Sequence, residues 1–352
     1  MKIGTVTLDS PFVVAPMAGM TDTAFRRLVK RKGGCGLVVT EMVSSEGLVR
    51  GIDRTLEYAE YTEAERPVSI QIFGGDPVKM ADAAQIVEGM GADIVDVNMG
   101  CPVPKIARHN AGCSLMREPA HAAAVIAAMV KSVRIPVTVK MRAGWNDRAR
   151  NAPELARMVQ DAGAAAIAVH GRTAEQSYSG LADWTLVARI AETLSIPVLG
   201  SGDCVEADQI VDRMQGGVSG VLVGRGVLRN PWILAQAAAL AAGRTLPSVT
   251  LAERGHFLLE YIDLLLHERE NEAEGFRHVA PGAGDGAEPD TTRVARGHER
   301  WVINKLRALC AWYSKGLDGG SALRVQINSA RTVPELRAMV SAFFLESSAD
   351  AA

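Results

Sequence analysis

The 352-residue sequence contains no Cys-x-x-Cys pair, and its five cysteines are scattered and odd in number. That argues against a disulfide frame or a zinc site and fits thiols kept reduced in a cytoplasm. No apolar run approaches the length of a membrane span. The first residues, Met1-Lys2-Ile3-Gly4-Thr5, lack the apolar core of a secretion signal. Net charge is almost absent: 38 basic against 40 acidic side chains leave −2. Nothing global therefore announces a nucleic acid or a membrane. Finally, no Gly-x-Gly-x-x-Gly follows the first strand-like run, which weakens an open dinucleotide-binding sheet. The expectation is a soluble cytoplasmic protein with no membrane segment and no metal.

What is present is a repeat of short β-type runs: residues 12–15, 36–40, 68–72, 93–97, 136–140, 165–169, 196–199 and 220–223. Helix-like segments fill most gaps, at 22–32, 77–90, 119–131, 153–161 and 184–193. Pro77, Pro119 and Pro153 suit a first helical turn, where a missing N–H costs nothing. Gly33, Gly91 and Gly163 fall where helices should end. Eight apolar strands alternating with helices predict a parallel sheet covered on both faces, and eight is the number that closes a TIM (β/α)8 barrel. Such a barrel should occupy residues 1–243. Residues 244–352 read as a small helical domain, with helices at 249–269, 294–314, 321–329 and 333–345. Residues 271–292, rich in Gly, Pro and acid, read as a mobile loop.

A barrel of this kind gathers its chemistry after the carboxyl ends of its strands. The fourth run leads into Asn98-Met99-Gly100-Cys101-Pro102, where Gly100 and Pro102 force a turn. A thiol there is either presented to a cleft or is a small apolar filler. Gly200-Ser201-Gly202-Asp203 and Gly224-Arg225-Gly226 follow the seventh and eighth runs. Glycine-rich turns at those two places form this barrel's usual phosphate cradle. Lys140 should point into the barrel mouth toward an anion or a structural partner. His170 is compatible with a core, contact or acid–base role, and Gln71 offers both a donor and an acceptor. The charge is also unevenly spread. Residues 253–290 carry three basic and ten acidic side chains, and residues 293–337 carry nine basic and three acidic. Arg293, Arg296, Arg300, Lys305, Arg307, Lys315, Arg324 and Arg331 could form a phosphate-binding face or an ordinary solvated one. A second basic cluster, Arg26-Arg27 and Lys30-Arg31-Lys32, ends the first helix, where cations are favourable anyway.

Together these residues resemble the tRNA-dihydrouridine synthases, most closely the B-type bacterial branch. The resemblance runs from Met1 to about Ala242. It is carried by Ala15-Pro16-Met17-Ala18-Gly19-Met20-Thr21-Asp22, Thr40-Glu41-Met42, Gln71-Ile72, Asn98-Met99-Gly100-Cys101-Pro102, Val139-Lys140-Met141-Arg142, His170-Gly171-Arg172-Thr173, Gly202-Asp203 and Gly224-Arg225. Ser201 stands where the family usually has Asn. The resemblance implies an FMN-containing barrel that reduces the C5–C6 double bond of uracil in tRNA with NADPH. It implies that Pro16, Met17 and Ala18 line the flavin, that Gln71 bonds its polar edge and that Lys140 stabilises its anionic reduced form. His170, Ser201, Gly202, Asp203, Gly224 and Arg225 would hold the ribityl phosphate. Cys101 would protonate C5 as general acid. Asn98, Arg142 and Arg172 would meet the uridine, and Arg296, Arg300 and Arg307 would grip the tRNA at its D-loop. The alternatives are a flavoenzyme acting on free pyrimidines, like a dihydroorotate or dihydropyrimidine dehydrogenase, and a non-enzymatic RNA-binding barrel. Neither accounts for both the catalytic set and the charge-split helical tail.

Overall fold

A computed structural model describes residues 1–107, 110–267, 277–279 and 291–346, without the side chains of 53–54 and 291–296. Eight parallel strands close on themselves: β1 (Phe12–Val14), β2 (Leu37–Val39), β3 (Val68–Phe73), β4 (Ile94–Met99), β5 (Val137–Arg142), β6 (Ala166–His170), β7 (Val198–Ser201) and β8 (Gly220–Val223). Closure comes from β8 pairing with β1 and from β2 pairing with β3. The fold is therefore the expected (β/α)8 barrel with helices after it. Most strand residues are fully buried. That is why the strands read as continuous apolar runs rather than as alternation.

Six helices of at least eight residues pack outside the barrel: α1 (Thr23–Lys32), α2 (Pro77–Gly89), α3 (Pro119–Ser132), α4 (Ala152–Asp161), α5 (Trp184–Thr193) and α6 (Ala207–Met214). Their starts follow local chemistry. Asp22, Asp76 and Asp183 accept from the first-turn amides of α1, α2 and α5. Pro77, Pro119 and Pro153 stand in first turns. Gly33, Gly91 and Gly163 take φ of 87°, 82° and 100° where the chain leaves α1, α2 and α4.

Two features were not expected. Lys2–Ile3 and Val6–Thr7 pair as an antiparallel hairpin. From it Ile3 joins Leu8, Val13, Leu37, Val39, Ile94, Ala166, Leu199 and Leu222 in one apolar cluster inside the barrel. After β8 come a short helix, Arg225–Arg229, and then α7 (Ile233–Ala241).

The last third is helical: α8 (Leu251–His267), α9 (Thr291–Tyr313), α10 (Gly320–Ser329) and α11 (Val333–Ser341). It shares its core with the barrel's outer layer. Phe257 and Tyr261 of α8 meet Phe25 of α1 edge-on at 6.2 and 6.1 Å. The expected loop at 271–292 falls mostly outside the described residues. Its residues Arg277 and His278 do form a strand pair with Thr62 and Tyr61, so this part is docked rather than loose. Residues 291 and 292 already belong to α9.

Candidate functional site

The turn after β1 organises itself. The Thr21 hydroxyl accepts from the Met17 amide at 3.1 Å, and Met20 N–H donates to the Met17 carbonyl at 3.0 Å. Pro16 and Met17 thereby face a cleft at the carboxyl end of the barrel. Its other walls include Lys140, His170, Tyr178, Ser201, Gly202, Asp203, Gly224 and Arg225, and it encloses about 550 Å³ open to solvent. Nine of the eleven expected cofactor residues thus line one cleft. Ala18 and Gln71 do not.

The glycine turns are tied down from below. Gly202 (φ 117°) and Asp203 (φ 54°) are both left-handed. A Cβ on Gly202 would stand 2.6 Å from Ala182 Cβ, so only glycine fits. Trp184 Nε1 donates to the Gly202 carbonyl at 3.0 Å. The Asp203 carboxylate accepts from Ala182 N at 2.7 Å and from Arg172 at 2.6 Å, and lies 3.7 Å from the Arg225 guanidinium. Arg172 also donates to the carbonyls of Ser179 and Gly180. It is a clamp on the turn.

Electrostatically the cleft is an anion trap. Lys140, from β5, makes no hydrogen bond or ion pair among the described residues. Burial, and then the neighbouring Arg142, push its ammonium down to about 8. The His170 ring is buried, and burial with Lys140, Arg142, Arg172 and Arg225 around it pushes it down to about 2. It is neutral at physiological pH. Arg172 can only donate, so its 3.4 Å contact makes His170 Nε2 the acceptor. Arg225 lies over the Tyr178 ring at 4.8 Å. Tyr178 was missed in the sequence because no strand end or glycine turn marks it.

Cys101 is half-buried at the end of β4. Burial raises its thiol above the ordinary value, against the opposing pull of the Val103 backbone, Arg142 and Lys140. Asn98 Oδ1 accepts from the amides of Gly100 at 3.1 Å and Cys101 at 2.9 Å. Its Nδ2 donates to Gln71 Oε1 at 2.8 Å. Asn98 therefore holds the turn. Gln71, 1 % exposed, is likewise engaged at both ends of its amide, with Nε2 donating to Asp96 at 2.7 Å. Arg142 donates to the carbonyls of Gly100, Thr173 and Ser177, fastening the Cys101 turn to the loop after β6. It too holds structure, while its Nη2 makes no hydrogen bond among the described residues.

The basic tail is only partly a free face. Lys305 is buried and reaches the Gly19 carbonyl at 3.0 Å, Asp22 at 3.0 Å and Glu41 at 3.4 Å. Burial works against its ammonium, and the two carboxylates outweigh it, so the group is held above its ordinary value. Arg307 donates to the carbonyls of Ile327, Asn328 and Ala330 and so caps the end of α10. Arg300 is exposed, and the side chains of Arg293 and Arg296 lie outside the described residues. Arg26 and Arg27 are 1 % and 2 % exposed, so of the cluster that ends α1 only Lys30, Arg31 and Lys32 reach the surface. Arg26 pairs with the fully buried Glu65 at 2.5 Å.

A family profile described as dihydrouridine synthase (Dus) matches residues 13–288. The chain belongs to the dihydrouridine synthase family. A probable tRNA-dihydrouridine synthase of Rickettsia prowazekii is 34% identical over 98% of each chain. One of Rhodobacter capsulatus is 42% identical over 76% of this chain and 83% of its own. The tRNA-dihydrouridine synthase B of Xanthomonas campestris is 35% identical over 98% of this chain and 96% of its own. Among solved structures, a 2-naphthoyl-CoA reductase complex superposes with a TM-score of 0.52 at 14% identity, over 75% of this chain and 55% of that one. That likeness speaks for the barrel alone. Among the described residues no group of His, Cys, Asp and Glu is placed to hold a metal, and no helix is long and apolar enough to cross a membrane.

Proposed function

We propose that this protein reduces the C5–C6 double bond of uridines in tRNA to 5,6-dihydrouridine, with bound FMN as cofactor and NADPH as reductant. The observation that carries the reading is one cleft with a partnerless buried cation, Lys140, on its wall and the half-buried Cys101 on the neighbouring strand end. The donor set suits a flavin nucleotide. Lys140 makes no hydrogen bond or ion pair among the described residues, and a Cβ at position 202 would fill the cradle. The first amides of the helix Arg225–Arg229 have no intrahelical acceptor and would join Arg225, Ser201 and the neutral His170 in binding the phosphate. Pro16 and Met17 would cover the apolar face of the ring.

Bound there, FMN supplies the hydride that adds to uracil C6. Cys101 donates the proton to C5. Its raised pKa keeps the thiol protonated at neutral pH, as an acid requires. Asn98 and Arg142 keep the turn carrying that thiol in place. The target base must leave its stack to enter the cleft, so the RNA is gripped elsewhere. The helices after residue 243 would do this with exposed cations such as Arg300. The relatives named as tRNA enzymes match this tail as well as the barrel, which favours tRNA over a free pyrimidine. The site of action would be the cytoplasm.

Cys101→Ala tests the reading. The variant should retain flavin and oxidise NADPH slowly without RNA. It should lose dihydrouridine formation by roughly 10²- to 10⁴-fold. Near-normal formation would remove the acid role from Cys101. Wild-type protein that binds no FMN, or that reduces free uracil as readily as tRNA, would overturn the function.

A further inference from the structure

Asp96 has no part in the reaction just described, yet it is a carboxyl group inside the barrel with 6 % exposure. It shares a ladder level with Gln71 on β3 and Thr138 on β5. The side chains of one level point the same way, so the three meet. Thr138 Oγ1 donates to Asp96 Oδ1 at 2.6 Å, and Gln71 Nε2 donates to Asp96 Oδ2 at 2.7 Å. The chain continues through Gln71 Oε1 to Asn98 Nδ2, and from Asn98 Oδ1 to the amides of Gly100 and Cys101.

The direction of this chain is forced from both ends. The amides of Gly100 and Cys101 can only donate, so Asn98 must show them its oxygen. Its nitrogen then faces Gln71, which must answer with oxygen. The Gln71 nitrogen is left pointing into the barrel, where it needs an acceptor. Asp96 is that acceptor. Without it either amide could turn over, and a reversed Asn98 would set an N–H against the two turn amides.

We propose that Asp96 is a positioning residue: acting through Gln71 and Asn98, it fixes the turn that carries Cys101. The proposal deepens the functional reading above and rests on it for the acid role of Cys101. It gives a buried carboxyl a reason to stand in an otherwise apolar strand.

Four variants test it: Asp96→Leu, Asp96→Asn, Thr138→Val and the double Asp96→Asn/Thr138→Val. The readouts are the rate at which iodoacetamide alkylates Cys101 in the full-length protein, followed by mass spectrometry, and kcat and KM for tRNA. Asp96→Leu leaves the Gln71 nitrogen unanswered. Alkylation of Cys101 should rise roughly tenfold as the turn loosens. The kcat should fall roughly a hundredfold, since small misplacements of reacting groups cost that much, while KM stays within a few-fold. Asp96→Asn should remain within a few-fold of wild type. Its oxygen can still face Gln71, because the Thr138 hydroxyl can turn from donor to acceptor. In the double variant the Asn oxygen still faces Gln71 and only its N–H goes unanswered, so this protein should stay well short of Asp96→Leu, and Thr138→Val alone should cost about two- to threefold. A large loss only where Gln71 is left without an acceptor is the signature of a directional chain.

A merely structural Asp96 would give effects that follow thermal stability. Wild-type alkylation and kcat in Asp96→Leu, or losses in Asp96→Asn as large as in Asp96→Leu, would overturn the proposal. If Asp96→Leu does not fold, Asp96→Asn and the double variant still decide: a roughly hundredfold loss of kcat in either, with Gln71 still answered, would overturn it. If wild-type protein forms no dihydrouridine, the function fails. The alkylation series would still judge the chain itself.

Discussion

Replacing Lys140 by Met should move stability and cofactor affinity in opposite directions. The ammonium is taken from water without an ion pair among the described residues; burial and then Arg142 outweigh the pull of Asp96, and its folded value falls from 10.5 to about 8. The sign follows from proton binding. Between pH 8 and 10.5 the unfolded chain holds a proton that the folded chain releases, so stability rises with pH across that window. Below pH 8 the full penalty applies. At about 1.36 kcal/mol per pH unit the window amounts to about 3 kcal/mol. Lys140 is partly exposed, so solvent screening reduces the figure to roughly 1–2 kcal/mol. Lys140→Met should therefore raise the melting temperature of flavin-free protein at pH 7 by a few degrees. The same change removes the cation an anionic cofactor would meet, and FMN affinity should fall by roughly ten- to a hundredfold. In the wild type, FMN affinity should decline as pH rises above about 8, and that slope should vanish in the variant. Differential scanning fluorimetry with and without FMN, at pH 7 and pH 9.5, reads both effects. A variant that melts below wild type without flavin, or that binds FMN equally well, would refute the reasoning.

Two other outcomes follow from the packing. Glu65 is fully buried against Arg26, so Glu65→Ala should cost about 3–5 kcal/mol in urea unfolding, and a loss below about 1 kcal/mol would contradict the buried pair. Arg300→Glu should weaken tRNA binding and lower its log–log salt slope by about 0.9, whereas Arg307→Ala should lower stability by about 1–3 kcal/mol and leave that slope alone. Identical salt slopes for wild type and Arg300→Glu would show that this face is simply solvated.

The barrel was legible because its strands are buried on both faces and its helices begin and end on residues with fixed backbone preferences. Prolines at 77, 119 and 153 and glycines at 33, 91 and 163 marked boundaries that the structure keeps within two residues. Pairs of two-residue strands such as Lys2–Ile3 and Val6–Thr7 carry no period long enough to read. The cleft was legible as a set of strand ends, but the roles of its members were not. Side-chain direction depends on partners far along the chain: Arg172 on Asp203, Arg142 on Ser177, Arg307 on Asn328. A cation that fastens a loop and a cation that awaits a phosphate have the same letter. The signal that could have exposed the chain behind Cys101 was Asp96 itself, a carboxyl two residues from Asn98 on the same inward face of an apolar strand.

Lys305 has a consequence for how such proteins can be recombined. Its ammonium ends against the Gly19 carbonyl, in the turn that begins with Pro16 and Met17, and stands between Asp22 and Glu41. Asp22 also takes the Tyr261 hydroxyl at 2.7 Å. The tail is thus joined to the barrel's mouth by a charge lock as well as by an apolar seam. A chimera that grafts a relative's helices after residue 243 without a cation at this point would leave two carboxylates facing each other beneath the turn. Tail and barrel are consequently not interchangeable cassettes. Positions 22, 41, 261 and 305 must travel as one inherited unit.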